Sequence, residues 1–482
     1  MNRKKYVYNI IVFSILSISL YAQEGIVNLS IEQSAACMGK GNRSLKIASK
    51  EVEMAKNERR KLNSLWYPNV SMAGAYVHLS NKIEVKEPLN KFTNPAKEIV
   101  HSILPNDQLI GAMLDEVGKY SFAFPLLPSN LTTIDGNVTW ALFTGGKRIY
   151  ATKIARSMVT IAEVNKELTN AGLQALLVES YYGLRLGKRI VEVRTEAYNV
   201  LKKHYWNAQK QEQNGLINKA ERLFAEVNMD EAKRELATAR KEVGVLQKTL
   251  NNLLNFTADE VVNPVSSLFM NDTLPPIEHF KAMIEGSNYT VNTLRLQENI
   301  ARNQLKIGRA GYMPNIALLG KQTFYANGMP KNLFPRTMIG VGFTWNIFDG
   351  LDRESNVRQA KLAQQSLVLG REKAKSELAV AVDKLYSQLQ NAQDNVTMLN
   401  TTIAMSKELL RVRRKLFREG MAVSTEVVDA QLLLSKVQIA YLTSYYQYDV
   451  ALINLLSTCG IPDAFYGYSK EGRTEHFIFN EE

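Results

Sequence analysis

Between Ile339 and Gly350 apolar side chains fall on every second position. Ile339, Val341, Phe343, Trp345 and Ile347 alternate with Gly340, Gly342, Thr344 and Asn346. Period 2 predicts a strand with one apolar face and one small or polar face. The same alternation stands in DGNVTWALFTGG, residues 135–146, and both stretches run into segments with helical spacing. In the second, Leu378, Val382, Leu385, Leu389, Ala392, Val396, Leu399, Ile403, Leu410 and Phe417 form a coiled-coil seam, interrupted by polar Ser406 and Arg413. The first segment is looser, through Leu173, Leu177, Leu184, Val191, Tyr198 and Tyr205. No proline occurs from Ser129 to Asn263 or from Arg336 to Ile461, so long helices are permitted. The stretch Lys147–Asn214 would span roughly 100 Å.

The pattern occurs twice. IEQSAACMGKGN from Ile31 matches IEHFKAMIEGSN from Ile277, and Trp66-Tyr67-Pro68-Asn69 matches Tyr312-Met313-Pro314-Asn315, all at an offset of 246. Trp140 pairs with Trp345, and Gly215 with Gly420, at an offset of 205. Constant offsets over such distances mark a duplication. Their difference, 41 residues, is an insertion in the first half between Pro68 and Trp140. Each half reads helix, proline, strand, loop, strand, long helix, glycine, return helix. The helices before the prolines are expected at about 31–65 and 277–311, and the return helices at about 216–255 and 422–458.

The strands are expected at about 69–80, 136–143, 315–325 and 337–348. Their lengths suit a tilted bilayer crossing of roughly 9 to 11 residues. An open sheet edge leaves backbone groups unsatisfied in hydrocarbon, so lipid-exposed strands close into a barrel. Barrels start at roughly 8 strands, which four cannot supply, so the barrel must be shared between copies. Ile339, Val341, Phe343, Trp345 and Ile347 then face lipid, and the intervening residues face a lumen. The loop at about 81–135 carries the insertion, reads as helical from Asn106 to Lys119, and is expected to shield the mouth.

The N-terminus changes where this happens. Arg3, Lys4 and Lys5 precede an apolar run that ends near Ala22, the form of a secretory signal peptide. Export makes nucleic acid a poor partner for the +12 formal charge, which falls to +9 when the leader's three cations leave. The five histidines lack ligand spacing, and no nucleophile motif or phosphate loop is present, so no cofactor, metal or catalytic residue is expected. Cys37 and Cys459 form no disulfide framework. They do open the first helix and close the last, and stacking the columns end to end would bring them together, making them a disulfide candidate.

The duplicated order resembles that of the TolC-type outer-membrane efflux proteins. So do FTWNIFDG (343–350), VTWALFTGG (138–146) and the turn REGMAVSTEVVDAQ (418–431). The resemblance covers nearly all of the mature chain. It implies a homotrimer, a shared 12-stranded barrel and a periplasmic α-helical tube, in the outer membrane of a Gram-negative bacterium. It also implies an acidic gate ring, which falls on Glu426 and Asp429, with Glu221 as the first-half counterpart. An aromatic gate residue matches Phe417. The family's arginine two residues past the glycine is Ala422 here, which leaves Arg418 and Arg222 as substitute gate contacts. A periplasmic adaptor, linking to an inner-membrane pump of RND or ABC type, would dock on Gly215, Leu216, Ile217, Gly420, Met421, Ala422, Val423 and Ser424.

The expected organisation is a leader (1–22), a first repeat (23–255, tip at 215), a linker (256–276), a second repeat (277–460, tip at 420) and a C-terminal tail (461–482). The expected function is a non-enzymatic exit duct of a tripartite efflux or type I secretion system, gated at its periplasmic tip. The alternative is a periplasmic coiled-coil scaffold without a pore. The transported substrate is set by the pump, not by this chain.

Overall fold

The computed structural model describes residues 26–475, apart from 81–82, 86–89, 104–107, 118–123, 128, 258–259 and 328–334. The expected signal peptide lies outside the described residues. In chain order the first repeat contains β1 (Ile26–Leu29), α1 (Ile31–Gly41), α2 (Arg43–Asn63), β2 (Asn69–His78), β3 (Ile83–Val85), α3 (Asn90–Ile103), α4 (Gln108–Val117), β4 (Phe124–Leu127), β5 (Asn130–Thr144), α5 (Lys147–Gln213) and α6 (Lys219–Leu254). Then follow β6 (Val261–Pro264), β7 (Phe269–Met270), α7 (Ile277–Ser287), α8 (Tyr289–Ala310), β8 (Asn315–Asn327), β9 (Thr337–Thr344), α9 (Asp352–Arg418), α10 (Ser424–Cys459), α11 (Phe465–Glu471) and β10 (Arg473–Thr474). The chain divides into two compact units, one formed by Ile47–Glu167 and Tyr289–Ser376, the other by the remaining segments.

The first unit is built on an antiparallel sheet in the order β2-β5-β8-β9. Its strands differ from the sequence expectation by more than two residues at two ends. β5 begins at Asn130 rather than Gly136, because its polar start pairs from Asn130↔His78 onward although it lacks apolar alternation. β9 ends at Thr344, so Trp345 and Ile347 lie beyond the strand, in the connection to α9. The ladder stops at Asn315↔Thr344, next to Pro314, which has no N–H to give. Ile339, Val341 and Phe343 do line one exposed face, at 76%, 66% and 74% exposure.

The two strand-to-helix joints are copies of each other. Arg148 donates to the carbonyls of Leu142 and Leu65 and lies 4.6 Å above the Trp66 ring. Arg353, at the same offset of 205, donates to Asn346 and Ile347 and lies 4.9 Å above Tyr312. Trp140 Nε1 donates to the Trp66 carbonyl and Trp345 Nε1 to that of Tyr312, both at 3.1 Å. Each arginine thus satisfies carbonyls where the chain leaves the ladder, with its cation on an aromatic face.

The second unit holds α5 from Leu168 on, α6, α9 from Glu377 on, and α10. Along α9 the seam is buried at Val382, Leu389, Val396, Ile403, Leu410 and Phe417, every seventh residue, as coiled-coil packing requires. Ser406 is buried among them. The helices before the prolines are each broken, at Asn42 and Asn288, where ψ is 129° and 128°. The two asparagines do the same work: Asn42 Nδ2 donates to Leu253 O at 3.2 Å and Asn288 Nδ2 to Thr458 O at 2.7 Å, at the ends of α6 and α10. Around Tyr182, the rings of Tyr181, Phe269 and Phe465 pack edge to face. The described part of the expected C-terminal tail joins this core through Phe465, which is fully buried.

The cysteine pairing is not formed: Cys37 and Cys459 are both free thiols. The reason is the pairing of the repeats. α1 packs against α6, whereas α10 packs against α7, with Cys459 Sγ 3.5 Å from Phe280 O. Cys459 thus faces α7 of its own repeat.

Candidate functional site: the paired hairpin tips

Both tips have the same backbone. Just past α5 stands Gly215 (φ +73°) and just past α9 Gly420 (φ +74°), left-handed positions that glycine occupies without the Cβ penalty. Leu216 N donates to Gln211 O and Met421 N to Leu416 O, both at 2.9 Å, which closes the last helical turn.

The next helix starts differ. Asn218 caps α6, its Oδ1 accepting from Glu221 N at 3.0 Å. The equivalent residue before α10 is Val423, which has no side-chain acceptor to offer. The missing cap comes from the other hairpin: Glu221 Oε2 accepts from Ser424 N at 3.0 Å. A carboxylate at a helix N-terminus also suits the dipole. His204 Nε2 lies 2.7 Å from Ser424 Oγ, and its ring sits 4.6 Å from Phe417. Gln211 Nε2 donates to Phe417 O at 3.1 Å. Below these bonds Leu201, Ala232 and Val428 form a shared apolar contact. The two hairpins are stitched together within one chain.

The singled-out residues have these places in a single chain. Glu221 caps the helix of the other hairpin. Ser424 is buried. Phe417 is buried against His204. Arg222 is held inside its own hairpin by Glu212, at 2.8 Å, and by Glu226. The cation that reaches Glu426 is Arg413, at 2.6 Å, from the same hairpin. Asp429 and Arg418 are exposed, while Ile217 and Ala422 are half-buried. Leu216, Met421 and Val423 remain exposed apolar residues at the tips, at 70%, 65% and 44%.

Sequence reasoning missed His204 and Ser424 as partners. The only available signal was the loss of the cap residue at Val423, where the first repeat has Asn218. Burial pushes the His204 imidazole down to about 4, and the nearby Arg414 cation adds to the effect. Burial also raises the Glu196 carboxyl, against the opposing pull of Lys407 and Arg414.

Comparison with known proteins agrees with this architecture. Residues 284–460, most of the second repeat, match the family model for outer membrane efflux proteins. The alkaline protease secretion protein AprF of Pseudomonas aeruginosa is 20% identical over 306 residues, which is 60% of this chain and 64% of AprF. The chain thus spans somewhat under two thirds of that relative. Among solved structures, the outer membrane protein VceC of Vibrio cholerae superposes with a TM-score of 0.70 at 15% identity, covering 89% of this chain and 96% of VceC. CusC gives 0.72 at 17% identity, covering 92% and 95%. Such likeness over nine-tenths of the chain fixes the fold as a TolC-like channel fold, within which residues 284–460 match the outer membrane efflux protein model.

Proposed function

We propose that the chain is the outer-membrane exit duct of a tripartite efflux or type I secretion system. It passes substrates received from an inner-membrane pump and carries no catalysis of its own. The observation that carries this is the sheet β2-β5-β8-β9. Its outer face exposes Val70, Met72 and Tyr76 together with Ile339, Val341 and Phe343, and its edges β2 and β9 have no partner strand among the described residues. An apolar face of that size requires lipid or a partner, and in lipid both edges must be paired. Three copies supply twelve strands and close the ring, with strand β9 of one copy beside β2 of the next.

The tips then gather at the periplasmic end. Leu216, Met421 and Val423 offer an apolar surface to a periplasmic adaptor, and the adaptor links the duct to a pump. Asp429 and the Arg413-paired Glu426 place carboxylates near the entrance, where a ring of acids favours cations. Planar-bilayer recording tests this. Purified chain should form pores with a cation preference, and E426Q/D429N should bring the cation-to-anion permeability ratio several-fold closer to one. A chain that forms no pore, and is extracted from cells without detergent, supports a periplasmic scaffold instead.

A further inference from the structure

The insertion in the first repeat folds into helices, and their position on the sheet has a consequence. α3 and α4 share a small core of Ala96, Ile110 and Leu114, with Val100 packed against it. Leu109, in the first turn of α4, places its Cδ1 3.6 Å from where a Cβ on Gly340 would stand. Gly340 belongs to the small face of β9, opposite the face that exposes Ile339, Val341 and Phe343. Its cross-strand partner is Leu319, and the neighbouring pair on that face is Lys321 with Met338. On the same face Lys321 Nζ lies 3.3 Å from Asp135 Oδ2, and Thr323 Oγ1 donates to Asp135 Oδ1 at 2.5 Å. Asp135 is 3% exposed and Leu131 8%, so part of this face is buried within a single chain.

Resting on the exit-duct reading, we propose that α3–α4 is an outer-mouth plug, seated on the lumenal face of the barrel rather than on its rim. Gly340 lies three residues inside the outer end of β9 at Thr337, about 10 Å down the strand. Twelve strands about 4.8 Å apart and tilted about 40° enclose a ring about 24 Å across. Three helices, each about 10 Å wide, fill a circle of about 22 Å when packed side by side. That diameter is measured between backbones, and inward atoms take roughly 5 Å on each side, so the opening is narrower than three packed helices and the first turn of α4 from each copy suffices to occlude the mouth. Six helices at the same depth would not fit, so α3 stays above α4. Leu109 thus rests against Gly340 at van der Waals distance, a contact that only the insertion of the first repeat supplies.

Thiol labelling from outside intact cells tests the plug. A cysteine at Gly340 meets only ordinary contact with Leu109, so G340C is expected to fold. With a membrane-impermeant polyethylene-glycol maleimide, G340C should react at least tenfold more slowly than the same cysteine in a chain whose residues 90–117 are replaced by a short Gly/Ser linker. L109E, which unseats the helix without removing it, should also speed labelling and covers the case in which the deletion fails to assemble. Equal rates in all three overturn the plug. Bilayer recording separates the two claims. Conducting trimers with equal labelling rates remove the plug alone, whereas a parent chain that never conducts removes the duct and the plug with it.

Discussion

His204 sits where the two hairpins of one chain meet, and its protonation state bears on whether they stay together. It is 5% exposed and pushed down to about 4, from an ordinary value near 6.5. The folded chain therefore keeps the imidazole neutral while the unfolded chain binds a proton at lower pH. This contribution is complete above about pH 6.5 and is lost as the pH falls through the window down to about 4, by up to roughly 3 kcal/mol. The groups facing it are Arg414 on α9, which disfavours the imidazolium, Ser424 on α10, and Glu221 on α6, which caps Ser424. Burial pushes the Glu196, Asp449 and Glu475 carboxyls up, which has the opposite sign: their protonated forms favour the fold at low pH. A difference between two melts isolates the histidine. The midpoint of the parent chain should fall more steeply from pH 7 to pH 4.5 than that of H204Q, and parallel profiles would contradict the assignment. Residue roles of this kind were the least legible in the sequence. Glu221 and Ser424 stand 203 positions apart. Nothing in local spacing tells a carboxylate that rings an entrance from one that caps a neighbouring helix.

Elements were legible where they repeat, and less so where tertiary partners set their ends. The constant offsets located four strands, two long helices and two glycine tips because a duplicated chain shows the same periodicity twice. The breaks at Asn42 and Asn288 were hidden, although both asparagines were visible as the last residue of each matched motif. Their breaking depends on carbonyls at Leu253 and Thr458, far along the chain. The start of β5 was hidden for the same reason, since its polar residues become a strand only by pairing with β2 and β8. One glycine outside the tips shows how tightly an element end can be fixed. Gly460 closes α10 at φ +80°, and a Cβ there would stand 2.2 Å from Ser287 O and 2.6 Å from Ser287 C, backbone atoms that cannot swing away. G460A should cost more than about 2 kcal/mol, whereas G215A, also at positive φ but in open space, should cost about 1 kcal/mol. Thermal unfolding of the two variants in detergent checks the order. Equal midpoints would mean that the α7–α10 junction is looser than its contacts imply.

At the scale of the molecule, four strands whose two edges have no partner strand among the described residues, with an apolar outer face, do not make a finished structure. The physical demand is the same from sequence and from coordinates: backbone groups in hydrocarbon must be paired, and one copy cannot pair its own β2 with its own β9 in so short a sheet. The sequence reached this conclusion without side-chain detail because it follows from strand count alone. It could not reach the plug, because the position of α4 against Gly340 is a contact between an inserted segment and a strand more than 200 residues later. Among the described residues no helix is long and apolar enough to cross a membrane. The most direct test is therefore the native mass of the chain extracted from the outer-membrane fraction in mild detergent. Three copies in one detergent-dependent assembly is the expected result. A monomer or dimer that stays in solution without detergent would contradict the shared barrel.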